Sequence, residues 1–299
     1  MSIVTETFNN LPKREILEIA SRIRSEISTN PDLVRLKDKK QFVTQADIDI
    51  QNCILDYFSS SPLQGKYNIF AEESLRPEDE GLNAERREWI LLIDPIDGTS
   101  SFCRGDDSWG CMVGMCEASG VLKHSWNLLA DGTVYSSFSA RGQVDNWKTL
   151  SSLTLDVYDY GAGMTSEFPL LFSKSCKGEF GAEQVHTTSL PAAIWAGWNL
   201  YTGRSNGLLW IPSDSGKGTY PSYDLIFLGA LARQGWHILL GRIQTETHFV
   251  SVAPDKDSCE LLLECGYAML SYRAANRVAD RDTGRAKEKF EMNSELRIL

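Results

Sequence analysis

The stretch that most limits how this chain can fold is Trp89-Ile90-Leu91-Leu92-Ile93-Asp94-Pro95-Ile96-Asp97-Gly98-Thr99. Its apolar half carries no alternation, the pattern of a strand buried on both faces. At the strand exit stand two carboxylates with Pro95 between them. Proline holds φ at about −65°, so Asp94 and Asp97 can converge on one point, with the Ile96 carbonyl as a third oxygen. Hard oxygen donors of this kind suit Mg²⁺. Gly98-Thr99-Ser100 then offers backbone N–H groups in a permissive turn at a helix start, a position that suits a phosphate oxygen. Taken alone, D-x-x-D-G is equally a plain turn between strand and helix.

The surrounding pattern sets the fold class. Residues 12–29 and 46–59 have helical apolar spacing, the first ended by Asn30-Pro31. Tyr67 to Ala71 reads as a short strand. Gly110 to Glu117, Val121 to Leu129 and Thr133 to Ala140 read as strands separated by turns at Gly120 and Asp131-Gly132. Strands arriving as hairpins favour α+β over a doubly wound parallel sheet. A composition shift at 141–152 marks a lobe boundary, giving an N-terminal α+β lobe over 1–145 and a C-terminal α/β lobe over 146–275. In the second lobe, helices are expected at Leu190–Tyr201, Tyr223–Arg233 and Asp257–Tyr272, with a strand at Trp236–Leu240. Residues 276–299 are strongly charged and read as a surface extension.

Charge narrows the partners. With 40 acidic and 30 basic residues the net charge is −10. That is the wrong sign for nucleic acid, whose binding depends on neutralising phosphates. A phosphate substrate then needs a bound cation to meet it. No leader pattern opens the chain, and no apolar run approaches the roughly 18 residues of a membrane span. The seven cysteines form no CxxC pair, which fits a reducing, cytoplasmic setting. The four histidines have no paired spacing and read as structural.

Two further acidic features accompany the DPIDG stretch. Glu72-Glu73 follows the short strand at 67–71, and paired glutamates repel unless a cation lies nearby. Asp47, in Val43-Thr44-Gln45-Ala46-Asp47, sits at the start of the second helix, where an acid is also favoured for ordinary reasons.

Together VTQAD, AEES, LIDPIDGTSSF and SYDLIFLGALARQG, in this order and spacing, resemble the inositol monophosphatase family of lithium-sensitive, Mg²⁺-dependent phosphatases. The resemblance covers about residues 10–270. It implies an α/β/α/β/α layered sandwich, commonly a homodimer, acting on a small phosphorylated metabolite with two or three Mg²⁺ ions per site. Glu72, Asp94, the Ile96 carbonyl, Asp97 and Asp224 match the metal ligands. Asp47 and Thr99 match the pair that orients and activates the attacking water. The backbone of Gly98 and Thr99, continued by Ser100, matches the phosphate cradle.

Departures fall in the second half. Tyr223 replaces a tryptophan before the last metal aspartate, and Arg233-Gln234-Gly235-Trp236 replaces E-A-G-G. Pro191-Ala192-Ala193 stands for a G-[ST]-A segment, leaving Ala193 as a candidate substrate contact. Lys217 occupies the position of a glutamate that binds inositol hydroxyls, where it suits a second anionic group or is a plain loop lysine. The alternatives within the class are a phosphoadenosine (3′(2′),5′-bisphosphate) nucleotidase, a sugar-bisphosphate phosphatase and a histidinol-phosphate phosphatase. Outside it stands a non-catalytic metal- or phosphate-binding relative.

Overall fold

A computed structural model describes residues 2–37, 42–80, 83, 85–139, 154–159, 186–188, 192–205, 207–211, 222–243, 246–253, 255–260, 262 and 288–290. The lobe boundary placed at 141–152 lies outside them, as do Lys217 and most of the charged tail.

Helices α1 (Ile3–Asn9), α2 (Lys13–Ile27) and α3 (Gln45–Ser59) form the first layer, with a small antiparallel pair, β1 (Val34–Leu36) and β2 (Phe42–Thr44), between α2 and α3. They cover one face of a five-stranded sheet. Its order is β3 (Tyr67–Ala71), β4 (Trp89–Asp97), β5 (Gly110–Glu117), β6 (Leu122–Leu129) and β7 (Val134–Ser136). Strand β3 runs parallel to β4, and the other neighbours are antiparallel, as hairpins require. A short helical turn, α4 (Pro77–Glu80), follows β3, and α5 (Thr99–Arg104) leaves β4.

Period-two alternation divides the core between the two faces. Leu91, Ile93, Cys111 and Val113 pack toward α1–α3 with Phe8, Ile16, Ile50 and Phe58. Leu92 and Met112 point the other way, into a second core with helices α6 (Ala193–Tyr201) and α7 (Leu228–Gln234). That is why β4 shows no alternation in sequence: both of its faces are covered.

Below α6 and α7 lies a six-stranded sheet in the order β13 (Glu288–Phe290), β11 (His237–Ile243), β12 (Glu246–Ala253), β10 (Gly207–Ile211), β8 (Thr154–Asp159) and β9 (His186–Thr188). Its Trp210, Ile238, Val250 and Val252 close the second core. Helical residues 256–260 and 262 pack beneath, tied by the Ser251 hydroxyl donating to the Cys259 carbonyl at 2.9 Å. The layers therefore run α/β/α/β/α. Three residues of the charged tail are edge strand β13, bonded to β11, so that segment is not surface extension alone. His124 packs among Phe8, Trp89 and Phe138, and burial holds its pKa down at about 4, a neutral core ring.

One close approach couples the sheets to the site. At Gly110, which pairs with Asp97, a Cβ would lie 2.5 Å from Ile194 Cδ1 and 2.6 Å from the Leu128 carbonyl oxygen. The backbone of β5 must be bare for the start of α6 to seat. Gly110→Ala is therefore expected to cost about 1–3 kcal/mol, read as a lower urea midpoint at unchanged slope.

Candidate active site

The site begins with a fault in the β4–β5 ladder. Asp94 pairs with Met112 and Asp97 with Gly110, so three steps along β4 match two along β5. In a regular strand, residues three apart face opposite sides. The extra residue of this bulge rotates Asp97 back to the side of Asp94. Pro95 tolerates the fault because it has no N–H to lose, but convergence comes from the bulge more than from proline's fixed φ.

Each acid is then held by a different element. Asp97 Oδ2 accepts the Ile194 N–H at 2.5 Å, and the Ala193 N–H also reaches this carboxylate. A carboxylate at the start of α6 meets unpaired amides and the positive end of the helix dipole. Ala193, expected as a substrate contact, is buried with its amide turned to Asp97. Glu72 extends β3 by one ladder bond, its N–H donating to the Ile93 carbonyl at 3.0 Å. Its side chain bonds Asp94. Asp224 arrives from the far half of the chain on the 3-10 turn Ser222–Leu225.

Asp47 is the third residue of α3 and forms a reciprocal cap with Thr44. Its Oδ2 accepts from the Thr44 amide at 2.7 Å and the Thr44 hydroxyl at 2.6 Å. Its other oxygen, Oδ1, faces the Thr99 hydroxyl at 3.4 Å, and that hydroxyl also lies 3.0 Å from the Ile96 carbonyl. The signal was legible in Thr44-Gln45-Ala46-Asp47, a capping-box spacing. Gly98 precedes Thr99 with φ of 90°, and a Cβ there would meet the Ser108 carbonyl at 2.7 Å and Ala192 Cβ at 2.9 Å. Only glycine takes this left-handed turn without strain. The amides of Thr99 and Ser100 open α5, where no earlier helical carbonyl exists to accept them.

Among the described residues the acids are short of positive charge. Burial raises Asp94 well above the usual carboxylate range, with Glu72, Asp97 and Asp224 adding to it. Burial lifts Asp97 to about 7 against the bond from Ile194. Asp47 also reaches about 7, through burial opposed by Thr44. Glu72 is raised by burial, and Asp224 well raised by burial and then by Glu72 and Asp97.

Among the described residues one cation, Lys37, answers them. Its Nζ donates to Glu73 Oε1 at 2.8 Å and to the Glu72 carbonyl at 2.9 Å, and lies 3.7 Å from Glu72 Oε1. Sequence reasoning missed Lys37, because a lysine in a charged loop carries no pattern. Asp94 Oδ1 is buried without a hydrogen-bond partner, an oxygen placed for a cation. Among the described residues no three acid, imidazole or thiolate groups already close on a common metal position. The donor set is nonetheless all oxygen, with Asp94 and Asp97 buried and Glu72 and Asp224 half-buried, which fits a hard divalent ion.

No helix among the described residues is long and apolar enough to cross a membrane.

Over 100 residues, a third of the chain, the sequence is 31% identical to a glucose-1-phosphate thymidylyltransferase of Streptomyces griseus, and the match spans only 36% of that relative's length. The fold matches the extragenic suppressor protein suhB of Bartonella henselae at a TM-score of 0.64 and 14% identity, covering 87% of this chain and 97% of that one. It also matches an IMPase/NADP phosphatase solved with Mg²⁺ and phosphate, at a TM-score of 0.52 and 12% identity, covering 83% and 92%. Residues 6–156 match the family model for inositol monophosphatases. The chain belongs to the inositol monophosphatase family.

Proposed function

We propose that this protein is a Mg²⁺-dependent phosphatase that hydrolyses a phosphate monoester of a small metabolite. The observation that carries the proposal is the carboxylate group around the β4 bulge, short of cations among the described residues, with the buried Asp94 Oδ1 left unpaired. In this reading Glu72, Asp94, the Ile96 carbonyl, Asp97 and Asp224 hold two or three ions. Bound magnesium supplies charge to the phosphate and makes a water more acidic.

The chain's own groups do the positioning. Asp47 has one oxygen committed to Thr44 and the other directed at Thr99. The Thr99 hydroxyl, with its proton drawn toward Asp47 and the Ile96 carbonyl, turns a lone pair outward to receive a proton from water. Asp47 Oδ1 is thus the acceptor through which Thr99 can take up the water's proton. The open amides of Thr99 and Ser100, after the turn at Gly98, face the phosphate oxygens. Little covalent work falls to the protein in phosphoryl transfer, so positioning and charge dominate. Assembly as a homodimer in a reducing cytoplasm belongs to the same proposal. Cys53, Cys103, Cys111, Cys116 and Cys259 are all unbridged, as that setting requires.

Three outcomes test the assignment. Thr99→Ala should lower kcat about 10²-fold or more, by the usual worth of a proton-transfer group. Full turnover on a good phosphomonoester would remove Thr99 from the mechanism. Asp94→Asn should abolish Mg²⁺ binding in calorimetry together with Mg²⁺-stimulated activity, and a variant that still binds the ion normally would refute the ligand set.

The third concerns pH. Asp47 and Asp97 have folded-state pKa values of about 7, above their unfolded values, so the native state binds more protons between those limits. Ion-free protein should lose Tm as pH rises from about 5 to about 8, and saturating Mg²⁺ should raise Tm more at the upper end. A Tm gain from Mg²⁺ that is the same at both ends would show that the ion does not relieve these acids.

A further inference from the structure

Helix α2 has a second face beside the one it buries. Ile16, Ala20 and Ile23 enter the first core. Next to them Leu17, Ser21 and Arg24, at the same helical spacing, line a cleft of about 490 Å³. The lining continues with Trp109 and, from the turn between β6 and β7, Ala130 and Asp131. The volume falls among those of small-ligand sites, about 300–1,000 Å³.

The cleft lies behind the acid group and apart from it. None of Glu72, Asp94, Asp97 or Asp224 lines it. Trp109 is the shared wall. Its ring packs edge-on against Phe102 of α5, with centroids 5.2 Å apart and planes at 89°. A Cβ on Gly98 would stand 3.3 Å from Trp109 Cα, so the backbone of Trp109 supports the Gly98 turn.

Two donors in the lining are short of acceptors. Trp109 is 3% exposed, and its Nε1 is buried with no hydrogen-bond partner among the described residues. A buried indole N–H ordinarily has one. Arg24, half-buried, donates from Nη1 to Asp107 Oδ1 at 2.7 Å, its one hydrogen bond among the described residues. A guanidinium carries five N–H donors in a fixed fork, so most of this one is open.

A single water takes about 30 Å³, a small part of the cleft. The ligand that fits brings oxygen lone pairs to Arg24 and the indole, and apolar surface to Leu17, Ala130 and the Trp109 ring. A carboxylate meets the first need, because it can accept both arms of a guanidinium fork. A phosphate dianion fits less well, since Asp107 already sits on Arg24 and Asp131 lines the same cleft.

We propose that this cleft is a second ligand site, for a small monocarboxylate with an apolar body whose carboxylate is held by Arg24 and the Trp109 indole N–H. The proposal stands apart from the phosphatase reading and does not depend on it.

The test is a titration of the ¹⁵N-labelled full chain, with Mg²⁺ present, followed at the indole N–H resonances. The Trp109 resonance is the one missing from Trp109→Phe. The probes are benzoate and its neutral counterpart benzamide. Benzoate should move the Trp109 resonance downfield and saturably, with affinity about tenfold or more above that of benzamide. Arg24→Gln should weaken benzoate about tenfold or more. Asp107→Asn breaks the same ion pair but frees the guanidinium, so it should keep or tighten binding. Benzoate that leaves the Trp109 resonance in place, or binds Arg24→Gln as well as the native protein, overturns the site. Equal weakening by Arg24→Gln and Asp107→Asn overturns it too, because Arg24 then only braces the loop at 105–108. Benzamide binding as tightly as benzoate overturns the carboxylate class, and that comparison needs no variant.

Discussion

The bulge in β4 is the constraint on which the site depends. Without it, Asp94 and Asp97 would leave opposite faces of the five-stranded sheet, one into each core. A buried carboxylate in either core would be unpaired and costly. With it, both acids emerge at the strand's end, and Asp97 reaches the first amides of α6. That bond, with the Ala193 amide beside it and the Tyr135 hydroxyl donating to the Ile194 carbonyl, helps join the two halves of the chain, because α6 belongs to the layer that packs between the sheets. The bare Gly110 opposite Asp97 is the other half of the arrangement, since it lets Ile194 close in.

Concentrating so many acids in a buried place costs stability, and the costs fall unevenly. Asp97 is relieved by helix amides and Asp47 by its cap, while Glu72 leans on Lys37. Asp94 has the least relief, since burial, Glu72, Asp97 and Asp224 all push it the same way. An arrangement of this kind is retained in a fold when something outside the chain supplies the missing charge. Under the proposed function, the same reasoning is how a protein of net charge −10 would attract a phosphate.

Much of the fold's first half was legible because its signals are local. The strand at Tyr67–Ala71 and the start of α3 fall within a residue of where apolar period and turn residues put them. Helix α1 was missed, being short and anchored by Phe8 in a core that only the assembled layer provides. The same holds for β1 and β2, three residues each, whose pairing is set by their neighbours. In the site, the acids were visible as types at a spacing. Their convergence was not, since a bulge is a relation between two strands. Lys37 had no pattern to find, because its partners are distant in sequence.

Asp47 shows how closely fold and candidate chemistry are joined here. An acid at the third position of a helix ordinarily serves its cap and nothing else. In α3 the cap takes only Oδ2, leaving Oδ1 for Thr99. The direction of the free oxygen is therefore set by where α3 begins, and that is fixed by Thr44 at the end of β2. Strand β2 pairs with β1, which leads directly to Lys37 on Glu72 and Glu73. One small hairpin thus fixes both the direction of the Asp47 oxygen and the position of the cation that answers the acids. A shift of that hairpin would alter both together, so the two terms of the site's electrostatics cannot be adjusted independently.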